Sequence, residues 1–190
     1  MQEKTTLTRN TMKKRIAIDV GHADRTGAVG NGLQEHECCE RIAAALKEEL
    51  EGMGFVVNVV DFPTESNAGD LARTVKSINA GSHDLCMSLH CDASANALAK
   101  GAHVIYTSEK GGKVAGYIAR HLCALLPGRA NRLVKRDNLY VLNNTKCVAV
   151  LCECGFVTNR ENAELLKSEQ GVRSIARSIA VGVREYFNQN

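Results

Sequence analysis

The chain has 190 residues, with 24 Lys and Arg against 21 Asp and Glu, a balance of +3 at neutral pH. That length suits one domain with its own apolar core, and the charge is too mild to argue for a nucleic-acid partner. An aromatic content of 4% without tryptophan leaves few platforms for stacked bases, and no run of ~18 apolar residues offers a membrane span.

Residues 1–12 are polar, lack the apolar core of a signal peptide and read as a disordered extension. Fold-forming sequence begins at Lys13, and 13–190 reads as a single domain. Ile16 to Val20 is an apolar strand that stops at Gly21 and His22, and a loop from Ala23 to Asn31 follows. Cys39, Ile42, Ala43, Leu46, Leu50 and Met53 recur at helical spacing until Gly52 and Gly54 break the pattern. Phe55 to Val60 is a second strand, Pro63 to Asn67 a turn, and Leu71, Val75 and Ile78 mark one face of a second helix. Asp84 to Leu89 supplies a third strand that ends at His90, and Gly101 to Thr107 a short fourth. Val114, Tyr117, Ile118, Leu122 and Leu125 set out a helix that Pro127 and Gly128 terminate. Leu139 to Leu142 and Val148 to Glu153 give two more strands, and a helix from about Val172 to Phe187 closes the chain. The alternation predicts a three-layer α/β/α fold around a mostly parallel, twisted sheet of about six strands.

Eight cysteines could suggest a disulfide framework, but their positions do not. Cys38 and Cys39 are neighbours on a helix, while Cys86, Cys147, Cys152 and Cys154 lie in or beside buried strands. With no Cys-x-x-Cys pair, they read as free packing thiols.

Three apolar runs end in chemistry: the first at His22, the third at His90, and the run Val148 to Cys152 at Glu153. A carboxylate at the end of a buried strand is costly unless a cation or a proton compensates it. Sites in open α/β sheets assemble at the carboxyl ends of strands, so this repetition points to a metal centre. A catalytic zinc site takes three protein ligands and keeps one position open, so His22 and His90 need a carboxylate. The helix opening Glu35-His36-Glu37 offers two. Glu35 shares the apolar stripe of Cys39 and Ile42, whereas Glu37 falls on the polar side, four residues before Arg41. Glu35 is therefore the expected ligand; His36, next to it, is a weaker candidate, and His83, His103 and His121 have no such placement.

These residues, in this order, resemble the zinc-dependent N-acetylmuramoyl-L-alanine amidases that open bacterial peptidoglycan. Ile16 to His22 looks like the family's opening strand and first zinc histidine, and Gly32-Leu33-Gln34-Glu35 is similar to the stretch carrying its zinc glutamate. Ser88-Leu89-His90-Cys91-Asp92-Ala93 matches the second histidine block, and Leu151 to Asn159 the block with the catalytic glutamate. The resemblance spans Arg15 to Phe187; Ala23, Leu133 and Val148 depart from it without removing a ligand or the base.

The resemblance implies one Zn2+ on His22, Glu35 and His90, with Glu153 as the general base and bacterial peptidoglycan as the substrate. Arg129, Arg132, Lys135 and Arg136 form a basic run that reads as a solvated loop or as a holder of stem-peptide carboxylates; Arg132, in the Asn131-Arg132 pair that matches the family, and Asn159, in the block with Glu153, are the candidate substrate contacts. No obligate protein partner is implied. The expected course is synthesis in the cytoplasm and action at the wall after release or export, as a phage-type lysin or a bacterial amidase. Two alternatives stay open: a carboxypeptidase-like zinc hydrolase, and a wall-binding module without catalysis, against which the retained Glu153 argues.

Overall fold

The computed structural model describes residues 13–23, 26–63 and 66–189, so the expected N-terminal extension lies outside the described residues. β1 (Arg15–Val20) leads through a loop into a hairpin of β2 (Val29–Gly30) and β3 (Leu33–Gln34). The turn is Asn31-Gly32, both at positive φ, the pairing that a tight two-residue hairpin demands. That hairpin runs without a break into α1 (Glu35–Gly52), so the turn sets where the helix starts and which residue opens it. β4 (Val56–Val60), α2 (Asn67–Ala80), β5 (Leu85–Asp92), β6 (His103–Tyr106) and α3 (Glu109–Leu125) follow. β7 (Leu133–Lys135), α4 (Tyr140–Asn144), β8 (Val148–Phe156), α5 (Arg160–Lys167) and α6 (Glu169–Gln189) complete the chain.

The sheet order is β4-β1-β5-β8-β6-β7. β4, β1, β5 and β8 are parallel; β6 runs antiparallel to β8 and carries β7 with it. From β1 the chain goes out to β4 and then returns past β1 to β5, so a topological switch point lies between β1 and β5.

Alternation along the strands divides the core in two. Ile16 and Ile18 of β1, Leu85, Met87 and Leu89 of β5, and Val150 and Cys152 of β8 pack with Ile42 of α1, Ile118 of α3 and Ile179 of α6. Ala17, Cys86, Ala149 and Leu151 point the other way, against Val75 and Ile78 of α2 and Val141 and Leu142 of α4. By the same period, Asp19, Ser88, His90, His103 and Glu153 fall on this second face, beyond its apolar cluster. Helices thus cover both sides, and all eight cysteines are free, seven of them buried.

Two expected elements differ. Leu139 to Leu142 is not a strand: Leu139 caps the short helix α4, whose Val141 and Leu142 pack under the sheet. A four-residue apolar run carries too little periodicity to separate helix from strand. The strand is instead Leu133–Lys135, an exposed edge with a partner on one side only, which therefore needs no apolar alternation and reads as a basic loop. The pair expected between Glu37 and Arg41 is also replaced. Arg41 donates to the carbonyls of Leu166 (2.7 Å) and Lys167 (2.9 Å), satisfying the end of α5.

Candidate metal centre

Gly21 and His22 follow β1 at the switch point. The Gly21 N–H donates to the Leu89 carbonyl (3.0 Å), continuing the β1–β5 ladder one residue further. A side chain on Gly21 would lie 2.6 Å from His90 Cε1, so only glycine lets the second histidine approach. His22 takes φ 65, a left-handed conformation that costs a non-glycine residue energy and breaks the strand's in-out alternation. The bend brings its Nε2 to 3.2 Å from Glu35 Oε2.

His90 approaches the same carboxylate from β5, its Nδ1 3.1 Å from Glu35 Oε1. The two imidazoles meet edge to face, with ring centroids 4.9 Å apart and an interplanar angle of 74°. Glu35 is buried while Glu37 is exposed, as the helical-face reading requires. Its Oε1 also accepts from the Cys91 N–H (2.9 Å) and its Oε2 from the Ala28 N–H (2.7 Å). Burial alone would raise this carboxyl, but hydrogen bonds from His22, His90 and Ala28 overcome it and hold the group ionised well below the usual range. One nitrogen of each histidine and one carboxylate oxygen lie within 4.8 Å of one another, a donor set of the borderline kind that zinc accepts. The cluster opens into a pocket also lined by Asp19, Asp70 and Leu71.

Under the histidines, Asp19 is buried in β1 and accepts a 2.5 Å hydrogen bond from the hydroxyl of Ser88, its register partner on β5. Burial raises its carboxyl.

Glu153 stands beside His90 in the β5–β8 register and opposite His103 in the β8–β6 register. One extra residue on β8 then separates the His90–Glu153 and Asp92–Phe156 pairs, a bulge of the sort found beside active sites. Glu153 Oε2 is buried without a hydrogen-bond partner, and burial lifts this carboxyl to about 7, with Asp92 and Glu35 adding to the rise. Arg129 opposes it. Its Nη1 lies 3.3 Å from Asp92 Oδ2, its Nη2 3.5 Å from His103 Nε2, and its guanidinium over the Phe156 ring. Burial and the charges of Arg129 and Arg136 hold His103 neutral, down at about 4.

Arg129 and Asp92 are thus the residues flanking Glu153 that sequence patterning does not single out; only the coincidence of Asp92 with the second histidine block hints at them. Arg132 is exposed, and its carbonyl accepts from Val104 at the β6 edge. Asn159 is buried: its Oδ1 accepts from the Asn162 N–H as the cap of α5, and its Nδ2 donates to the Ala97 carbonyl (2.8 Å). Both ends of that amide are engaged within the fold.

Fold and site together define an α/β protein with a His/Glu/His group able to hold a metal ion at the carboxyl ends of its parallel strands. The family model described as N-acetylmuramoyl-L-alanine amidase matches residues 16–185, and the chain belongs to that family. The amidase CwlM of Bacillus licheniformis is 32% identical over 177 residues, covering 92% of this chain and 69% of the relative. The catalytic domain of the CD27L endolysin targeting Clostridia difficile superposes with a TM-score of 0.83 at 29% identity, over 90% of this chain and 97% of that one. The CwlD amidase of Clostridioides difficile, solved in complex with the GerS lipoprotein, shares the fold at a TM-score of 0.81 and 22% identity, over 94% of this chain and 100% of that one. Among the described residues no helix is long and apolar enough to cross a membrane.

Proposed function

We propose that the chain hydrolyses the amide bond between the lactyl group of N-acetylmuramic acid and L-alanine in bacterial peptidoglycan, with one Zn2+ on His22, Glu35 and His90. The observation that carries the ligand assignment is convergence. Three donors from the β1 loop, the first turn of α1 and β5 meet within 4.8 Å, with a second carboxyl, Glu153, on the adjoining strand. When bound, such an ion supplies a Lewis acid that eases the ionisation of water and polarises the scissile carbonyl.

The protein's own part follows from the two carboxyls. Glu35, fixed by two backbone N–H groups and held ionised, is suited to permanent service as a ligand. Glu153, with a carboxyl at about 7 and a free buried oxygen, is suited to exchange protons near neutral pH. It takes the proton of the attacking water and delivers it to the departing L-alanine nitrogen, so that an amine leaves rather than an amide anion. His90, and after it Arg129, keep Glu153 from rising further, which preserves the basic form at the working pH.

Arg132 is the residue proposed to meet the carboxylates of a stem peptide; its exposure on the segment leading into β7 supports that reading. Asn159 acts through the Ala97 carbonyl it holds, rather than through an amide free to meet substrate. The substrate lies in the cell wall, so the enzyme works there after release or export.

Mass spectrometry of digested sacculi tests the reading. New free amino termini on L-alanine are expected. Release of terminal amino acids from the stem, with the lactyl amide intact, would replace the amidase with a carboxypeptidase-like enzyme.

A further inference from the structure

We infer that His36, Glu40 and Asp61 form a second divalent-cation site, of the zinc or manganese type, distinct from the cluster of His22, Glu35 and His90. His36 and Glu40 are one turn apart on α1, and Asp61 follows β4, the strand paired with β1, so helix and sheet edge bring the three together. His36 Nε2 lies 3.9 Å from Glu40 Oε1 and 3.8 Å from Asp61 Oδ2, and the three donor atoms fall within 4.8 Å of one another.

Those separations are too long for hydrogen bonds. They do suit two donors on one ion, each at roughly 2.0–2.2 Å from it. His36 is 2% exposed, and its Nδ1 lies 3.1 Å from the Gly21 carbonyl oxygen. A carbonyl only accepts, so Nδ1 carries a proton and donates to it, which leaves Nε2 as the atom turned toward the two carboxylates. Among the described residues nothing meets it: Nε2 is buried without a hydrogen-bond partner, and so is Asp61 Oδ1. A buried ring nitrogen without a partner, with one oxygen of each of two carboxylates within 4 Å, marks a place that a cation would fill.

The surroundings add to that demand. Asp19 and Asp70 are buried nearby, and burial, followed by the charges of Asp19 and Asp61, lifts the Asp70 carboxyl to about 6. Through the Gly21 carbonyl, an ion on His36 also fixes the residue before His22, so the site backs the loop that carries the first histidine. One imidazole and two carboxylates, one of them half-exposed Glu40, leave the remaining positions to water and match zinc or manganese better than calcium.

The test is titration of the metal-free full-length chain with ZnCl2, metal content after gel filtration, and a zinc-edge anomalous map. Wild type is expected to bind two equivalents, with a peak among His36, Glu40 and Asp61. Asp61→Asn and Glu40→Gln should each weaken that equivalent about 100-fold while the other stays. Glu35→Gln should lose the catalytic peak and keep this one, so the two sites fail independently, and failure here leaves the amidase reading standing. Glu40 is exposed enough that its variant folds. A wild type with no peak at His36, or an Asp61→Asn protein that keeps both equivalents, overturns the inference.

Discussion

Replacing Glu153 by glutamine is expected to stabilise the metal-free protein at alkaline pH and to change little at acidic pH. Burial raises this carboxyl from 4.5 to about 7, so the folded state binds the proton more tightly than the unfolded chain does. Between those two values the folded state holds more protons, the free energy of unfolding falls as pH rises, and above the upper one the whole loss persists. A rise from 4.5 to about 7, at roughly 1.36 kcal/mol per unit, amounts to about 3 kcal/mol. Glutamine cannot ionise, so that slope vanishes from the variant. In a domain of this size the gain corresponds to about 6–12 °C in Tm. Urea unfolding of both proteins in chelator, at about pH 4 and about pH 8.5, reads the difference directly as paired stabilities. Parallel pH profiles, or a glutamine variant less stable at the higher pH, would refute the claim that Glu153 of β8 carries a carboxyl raised by burial.

Gly27→Ala places a Cβ 2.8 Å from Glu35 Oε2 and 3.0 Å from His22 Cδ2, on backbone at φ +90. It should cost about 1–3 kcal/mol in stability and about tenfold in zinc affinity, checked by denaturation and by zinc titration; unchanged affinity would show that the loop does not shape the cluster. Arg129→Ala removes a cation that, after His90, restrains Glu153, so the acid limb of kcat/KM against pH should move to higher pH, and an unmoved limb would separate the two residues. Asn159→Ala should cost about 1 kcal/mol as a lost cap, with KM close to wild type; a KM effect without a stability effect would make it a substrate contact after all.

Much of this architecture is legible in the chain because the strands that carry the site are buried on both faces. Ile16 to Val20, Leu85 to Leu89 and Val148 to Cys152 are apolar apart from Asp19 and Ser88, which hydrogen-bond each other, and the His, His or Glu that ends each run marks the carboxyl edge where the site forms. Helical phase separates Glu35 from Glu37 for a similar reason: one face of α1 has to be buried. What is not legible is local or long-range. The Asn31-Gly32 hairpin carries its own signal, a dipeptide built for two left-handed residues, yet with strands two residues long it offers no alternation to support it. β7 and α4 are exchanged in the sequence reading because an edge strand tolerates charge and a one-turn helix has no period. Arg129 lies in a run of basic residues that composition reads as a solvated loop, and only the fold brings it to Asp92 and Phe156. His36 is hidden by its neighbour: next to a ligand it reads as an accessory, and the acid that faces it comes from a strand 25 residues away (61 minus 36).

The most direct test of the central claim is to measure zinc at the His22–Glu35–His90 cluster and amidase turnover on the same samples of Glu153→Ala and Glu35→Ala. The account predicts that Glu153→Ala keeps the ion and loses turnover by about 100- to 10,000-fold, whereas Glu35→Ala loses both. A Glu153→Ala enzyme working at full speed, or a Glu35→Ala protein that retains ion and activity alike, would contradict it.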